Sequence, residues 1–238
     1  MDAKRIVILG AGGIGGNVPL SVGMLDEVIN KGTAMYIMDD DIMEISNMNR
    51  IPVPIGAINK YKVDVIKNLS RTTTDVMVST KKERVSNFEE LIADPLNDFG
   101  EDETIPPDEV IGVFKEKETY EDPKIRNKTI VVDCRDVLDA GVMFEDIDMK
   151  LSYNGGNIMC ITFNPTEGVW KTLSVYSQSG YEVTPSFYIP PAMVCELLAG
   201  IIKKFPASWI CGKSRKIKTT TKVIINLEEV INNSIVEI

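Results

Sequence analysis

Apolar residues recur along this chain in two spacings, and their alternation predicts an architecture. Short, nearly unbroken runs rich in Val, Ile and Met stand at 4–9, 34–38, 75–79, 129–134 and 157–163, with an alternating stretch at 170–177 and a last run at 222–227. Runs of this length, bounded by Gly, Asp and Asn, are the pattern of strands buried on both faces. Between them the period lengthens. Leu20, Met24 and Val28, with Leu25, predict a helix over 17–30, with Pro19 in its first turn and Lys31-Gly32 at its end. Val63, Ile66 and Leu69 predict a helix over 60–69, and Met193, Leu197, Leu198, Ile201, Ile202 and Phe205 one over 190–205. Shorter helical pieces are expected at 88–92, 110–114 and 139–145. Strands alternating with helices predict an α/β fold: a Rossmann-like mixed, mainly parallel sheet with helices on both faces. One domain over 1–238 is expected, with an acidic, proline-interrupted excursion at about 83–122 and a strand-containing tail at about 206–238.

The first strand carries the chemistry. It ends in Gly10-Ala11-Gly12-Gly13-Ile14-Gly15, four glycines in six residues, and a helix follows. A glycine turn between a buried strand and a helix lets backbone N–H groups approach an anion that the helix dipole favours. The second strand ends in Asp39-Asp40-Asp41, where a carboxylate can accept bonds from ribose hydroxyls. The fourth ends in Asp133-Cys134-Arg135-Asp136, so Asp136 is expected at the same edge of the sheet as Gly12 and Asp39.

Composition narrows the chemistry further. A net charge of −9 opposes general nucleic-acid binding, which draws on Lys and Arg. No apolar run is long enough for a membrane span, and Met1-Asp2-Ala3-Lys4-Arg5 leads straight into the first strand, so a cytoplasmic protein without a signal peptide is expected. The sequence has no histidine, which excludes Ser-His and Cys-His nucleophiles and histidine metal clusters. Carboxylates, Lys, Arg and a bound cation remain, a set suited to phosphoryl or nucleotidyl transfer. The four cysteines form no Cys-x-x-Cys pair, so no structural zinc is expected.

Together the glycine loop, Asp39-Asp40-Asp41 and Ser46-Asn47-Met48-Asn49-Arg50 resemble the adenylation domain of the ubiquitin-activating enzyme family. Its bacterial members include the ThiF and MoeB adenylyltransferases of thiamine and molybdopterin synthesis. Asn59-Lys60-Tyr61-Lys62 falls where that family carries a lysine pair, and Asp133-Cys134-Arg135-Asp136 where it has a strand ending in Asp-x-x-Asp-Asn; the resemblance spans residues 4–205. It implies that Gly10, Gly12, Gly13 and Gly15 line ATP, that Asp39 holds the ribose with Asp41 beside it, and that Asn47, Arg50 and Lys62 contact the phosphates. Asp136 would hold Mg²⁺, with Lys60 a secondary phosphate contact. The implied reaction is attack on the α-phosphorus by the C-terminal carboxylate of a small ubiquitin-like or sulfur-carrier protein, giving an acyl-adenylate and pyrophosphate; a homodimer is implied as well. Arg50, Lys62 and Asp136 would be the catalytic set. Some positions depart from the pattern. Ile51 stands for Gln and Val137 for Asn, a following arginine is missing, and no cysteine lies between Asn164 and Pro190, so transfer to a cysteine of a crossover loop is not expected. Two alternatives stay open: a degenerate relative that binds nucleotide without turnover, and an NAD-dependent oxidoreductase using the same loop and Asp39.

Overall fold

The computed structural model describes residues 5–25, 28, 33–48, 50–74, 76–83, 126–135, 147–153, 158–166, 189–211, 215–217 and 221–226. Seven strands form one sheet: β1 (Arg5–Leu9), β2 (Ala34–Met38), β3 (Val78–Lys81), β4 (Thr129–Asp133), β5 (Met149–Tyr153), β6 (Ile158–Phe163) and β7 (Thr221–Asn226). Their order across the sheet is β3-β2-β1-β4-β5-β6-β7. Strands β1 to β5 pair in parallel, whereas β6 runs antiparallel to both β5 and β7. This is the mixed, mainly parallel Rossmann-like α/β sheet that the sequence predicts.

The described helices are α1 (Val18–Val22), α2 (Lys62–Thr73), α3 (Ile189–Lys204) and α4 (Ala207–Ile210). Ile6 and Ile8 of β1, Ile130 and Val132 of β4, and Leu151 of β5 share one core with Val18, Ile66 and Leu198 of the helices. The alternate residues Val7, Leu9, Tyr36, Met38 and Val131, on the opposite face, are buried as well. Burial on both faces is why these strands read as continuous apolar runs, and each such Ile or Leu contributes roughly 1.5–3 kcal/mol.

Four expectations are corrected. Helix α1 stops at Val22, where Gly23 donates its N–H back to the carbonyl of Pro19 at 3.0 Å. The 3.6-residue stripe is therefore broken, and Met24, expected in the core, is 58% exposed, while Leu25 packs against the core and Val28 is buried. The third strand begins at Val78 rather than Asp75, because Met35 pairs with Val78 and Met38 with Lys81. Helix α2 runs on to Thr73 beyond the expected end at Leu69. Strand β5 was not expected at all. Its Met149, Leu151 and Tyr153 do alternate, but Lys150 and Ser152 between them are also buried. Lys150 is held inside because its Nζ donates to the Arg135 carbonyl and lies 3.8 Å from Asp133. The elements expected at 88–92, 110–114, 139–145 and 170–177 lie outside the described residues, as does the acidic stretch beyond Glu83.

One feature of the topology positions the site. From β3 at one edge the chain crosses to β4, on the far side of β1. In open parallel sheets such a switch point leaves a crevice at the strands' carboxyl ends, where ligands bind. Gly10 after β1 and Cys134 after β4 meet there, with Cys134 N–H donating to the Leu9 carbonyl at 2.9 Å.

Candidate active site

The glycine loop is folded on itself at this crevice. Gly10 has φ +90°, a conformation L side chains rarely adopt, and a Cβ on it would meet Arg135 Cγ at 3.0 Å. A Cβ on Gly15 would lie 1.8 Å from the Gly10 carbonyl oxygen, so the two glycines pack backbone to backbone. Gly12 differs from both: a Cβ there would meet nothing within 4 Å, and its Cα faces open space. The tight glycines shape the turn, and Gly12 leaves room for something else.

Asp39 braces the loop from β2. Its carboxylate accepts the Ala11 N–H at 2.6 Å through one oxygen and the Asp41 N–H at 2.8 Å through the other. Burial raises its pKa above the ordinary value, against those two N–H groups and the charge of Lys62, with Asp41 adding to the rise. A carboxylate has about four acceptor positions, so Asp39 keeps capacity for ribose hydroxyls. The acceptor oxygens of Asp39, Asp40 and Asp41 lie within 4.8 Å of one another, an all-oxygen set of the kind that hard divalent cations take.

The opposite wall is a short 3₁₀ turn, Ile45–Asn47, closed by reciprocal bonds between Glu44 and Asn47. Asn47 is buried, its Oδ1 accepts the Glu44 N–H at 2.9 Å, and its carbonyl accepts the N–H groups of Arg50 and Ile51. Ile51, where the resembled family has Gln, is fully buried in the core and anchors the turn. Arg50 Nη1 donates to the Ser46 carbonyl at 3.1 Å, and the arginine's stem lies across Gly13, where a Cβ would meet Arg50 Cδ at 2.7 Å. Lys62, at the start of α2, is 9% exposed and pairs with Asp41 at 2.6 Å. A hollow of about 300 Å³ is lined by Asp41, Ile42, Glu44, Ser46, Asn47, Arg50 and Lys62.

Sequence-derived candidates thus divide in three. Asp41, Asn47, Arg50 and Lys62 line one hollow; the glycines and Asp39 form the loop beside it, through the Gly13–Arg50 contact and the Asp39–Asp41 bond. Lys60 lies elsewhere, exposed in a second hollow of about 430 Å³ with Lys67 and Arg71 on the outer side of α2. Asp136, with its expected Mg²⁺, lies outside the described residues.

Three residues escaped the sequence reading. Asn17 is 2% exposed and donates to the carbonyls of Gly13 at 2.6 Å and Arg50 at 2.9 Å. At the tip of β4, Arg135 binds the buried Asp133 through Nε at 3.0 Å, over Lys150. Burial of the Asp133 carboxyl favours its neutral form, but Lys150 and Arg135 outweigh that and hold its pKa below the ordinary range. Asn17 directly after the glycines was a visible signal; Lys150 gave none, since a lone lysine in an apolar stretch reads as an exposed position. Cys134 and Cys195 sit close by, and burial pushes both thiols well up, so neither is a ready nucleophile.

No protein-family model matches this sequence, and no curated protein matches it. Solved structures do. E. coli MccB with ATP superposes with a TM-score of 0.51 at 15% identity, covering 95% of this chain and 64% of that one. E. coli MccB with AMPCPP and selenomethionine MccA gives 0.50 at 15%, covering 94% and 63%. Selenomethionine PaaA gives 0.50 at 14%, covering 94% and 64%. This chain spans less than two thirds of the length of each. At such identities the likeness is one of fold, and these proteins share the α/β architecture described above.

Proposed function

We propose that this chain is an ATP- and Mg²⁺-dependent adenylyltransferase that activates the C-terminal carboxylate of a small ubiquitin-like or sulfur-carrier protein, or of a peptide. One observation carries the reading: Arg50 and Lys62, twelve residues apart in sequence and on different elements, line a single hollow beside a glycine loop whose Gly12 faces open space. Two cations there suit a triphosphate, which carries more negative charge than the pyrophosphate of NAD. The MccB structures with ATP and with AMPCPP and MccA share this fold and support the same ligand class.

In this reading Gly10, Gly12, Gly13 and Gly15 approach the nucleotide with backbone alone, and Asp39 accepts from the ribose. Arg50, Lys62 and Asn47 hold the phosphates and offset charge developing at the α-phosphorus. The incoming carboxylate, with an ordinary pKa of about 3.3–3.7, is already ionised at neutral pH, so no general base is needed. Its oxygen forms a bond to the α-phosphorus as the bond to pyrophosphate breaks. Mg²⁺ would supply neutralisation of the leaving pyrophosphate; in this reading Asp136 would hold it, and the Asp39, Asp40 and Asp41 carboxylates are of suitable donor type. Lys62 now binds Asp41, so phosphate binding exchanges one anionic partner for another. A homodimer is part of the proposal.

The test is thermal unfolding with ATP–Mg²⁺ or NAD, followed by ATP–pyrophosphate exchange with candidate carriers. A ligand at about 100 times its Kd stabilises by about 2.7 kcal/mol. Stabilisation by ATP and carrier-dependent exchange, both lost in Arg50→Ala, are expected. Selective stabilisation by NAD refutes the proposal, and ATP binding without exchange for any carrier reduces it to a nucleotide-binding protein.

A further inference from the structure

Arg50 can serve a bound phosphate only if its loop is held at a fixed distance from the glycine turn, since the two come from separate parts of the chain. The geometry points to Asn17 as the positioning residue that fixes this distance, and so sets Arg50 over the triphosphate; this rests on the adenylyltransferase reading.

Asn17 sits where the glycine cluster passes into α1, a place where Asn is ordinarily a helix cap accepting a backbone N–H. Here it makes no cap bond, and its backbone is in the right-handed helical region. Its amide nitrogen instead donates to the Gly13 carbonyl at 2.6 Å and to the Arg50 carbonyl at 2.9 Å. Both acceptors are carbonyl oxygens, so only the NH₂ end of the side chain can face them, and its two hydrogens are both used. One bond is local; the other spans 33 residues of sequence. The side chain is 2% exposed, which keeps water from competing for either carbonyl.

The staple acts where the two segments already touch. Arg50 Cδ would be 2.7 Å from a Cβ on Gly13, so the arginine stem rests on the residue whose carbonyl Asn17 holds. Arg50 Nη1 is fixed in turn by the Ser46 carbonyl, and the Arg50 and Ile51 N–H groups by Asn47. Backbone and guanidinium of Arg50 are therefore both anchored, and Asn17 is the anchor that refers them to the glycine loop. Asn17 itself contacts no part of the nucleotide in this account.

Asn17→Asp is the sharpest test: nearly the same shape, no donor, and a carboxylate facing two carbonyl oxygens. Asn17→Ala removes the donors without adding charge and serves if the Asp variant does not fold. We expect amides over 45–51 to exchange about tenfold faster in either variant, ATP to bind about tenfold more weakly, and pyrophosphate exchange to fall about 100-fold. Adenosine, which lacks phosphates, should bind as in the wild type. In an Arg50→Ala background, Asn17→Ala should add nothing to the loss of ATP affinity. Arg126→Met is the structural control: it breaks the buried pair with Asp148, bonded at 2.7 Å before β4, and should lower Tm while ATP affinity stays unchanged. Wild-type exchange over 45–51 with wild-type ATP affinity in Asn17→Ala overturns the inference, as does equal weakening of adenosine and ATP. If the wild-type protein binds no ATP, the adenylyltransferase reading fails, and amide exchange over 45–51 still decides whether Asn17 holds the two segments together.

Discussion

Replacing Gly12 and Gly15 separately by alanine should split folding from binding within one loop. At Gly15 the added Cβ would stand 1.8 Å from the Gly10 carbonyl oxygen and 2.9 Å from its carbon, where real contacts essentially never fall below 3.0 Å. The obstacle is backbone, and Gly10 is itself confined by φ +90° and by Arg135, so relief requires the turn to move by about an ångström. Overpacking of this kind costs about 1–3 kcal/mol, and at about 2–4 °C per kcal/mol for a chain of this size Tm should fall by roughly 2–12 °C. At Gly12 the Cβ meets nothing within 4 Å and φ is not in the left-handed region. Loss of chain entropy in the unfolded state should make Gly12→Ala neutral or stabilising by about 0.4–1 kcal/mol. If the open space at Gly12 receives phosphate, the same methyl stands in the ligand's way, and ATP affinity should fall by about tenfold, or about 1.4 kcal/mol. Thermal unfolding with and without ATP, backed by calorimetric titration, measures both quantities. Gly12→Ala binding ATP as tightly as the wild type would refute the placement of phosphate at this loop; a Gly15→Ala protein with unchanged Tm would refute the packing.

Gly13→Ala should keep its fold, because the clash is with the flexible Arg50 stem at 2.7 Å, yet lose pyrophosphate exchange by about 100-fold through displacement of that arginine; circular dichroism and exchange assays check the two halves. Acid should act in two separate steps. Asp39 has a raised pKa, so its proton is bound more tightly in the folded state; acidification through that pKa favours the fold while the ribose acceptor is lost, and adenosine affinity should fall on acidification before an ordinary carboxylate would be protonated. Asp133 has a lowered pKa, so its stabilisation is present above the ordinary value of 3.8 and disappears only as the pH falls through its folded value below that. Adenosine titrations and thermal unfolding at stepped pH should show binding failing before folding; simultaneous loss would contradict this.

Much of the fold was legible because the sheet is buried on both faces. Strands β1, β2, β4 and β6 announce themselves as apolar runs, and α2 and α3 as 3.6-residue stripes, since in each the sequence period and the burial agree. Where they disagree, local pattern misleads. Met24 continued a stripe that Gly23 and the short α1 cut off, and β5 hid behind Lys150, whose burial depends on Asp133 and on a carbonyl in another strand's loop. The site shows the same division. Glycines and strand-end aspartates could be singled out by residue type, and the family resemblance added Arg50 and Lys62, with Lys60 as a secondary contact; the structure sets Lys62, the first residue of α2, in the hollow with Arg50, and Lys60, just before that helix, in the other hollow.

By itself the sequence determined the alternation of strand and helix, the glycine turn after the first strand, the excess of acid and the absence of histidine, all properties of neighbours along the chain. Tertiary structure alone decided the strand order, which sets β4 next to β1 and creates the crevice, and the meeting of Gly13, Asn17 and Arg50. Those contacts join residues far apart in the chain, and their energies exist only once the core has closed around Ile51 and Ile66.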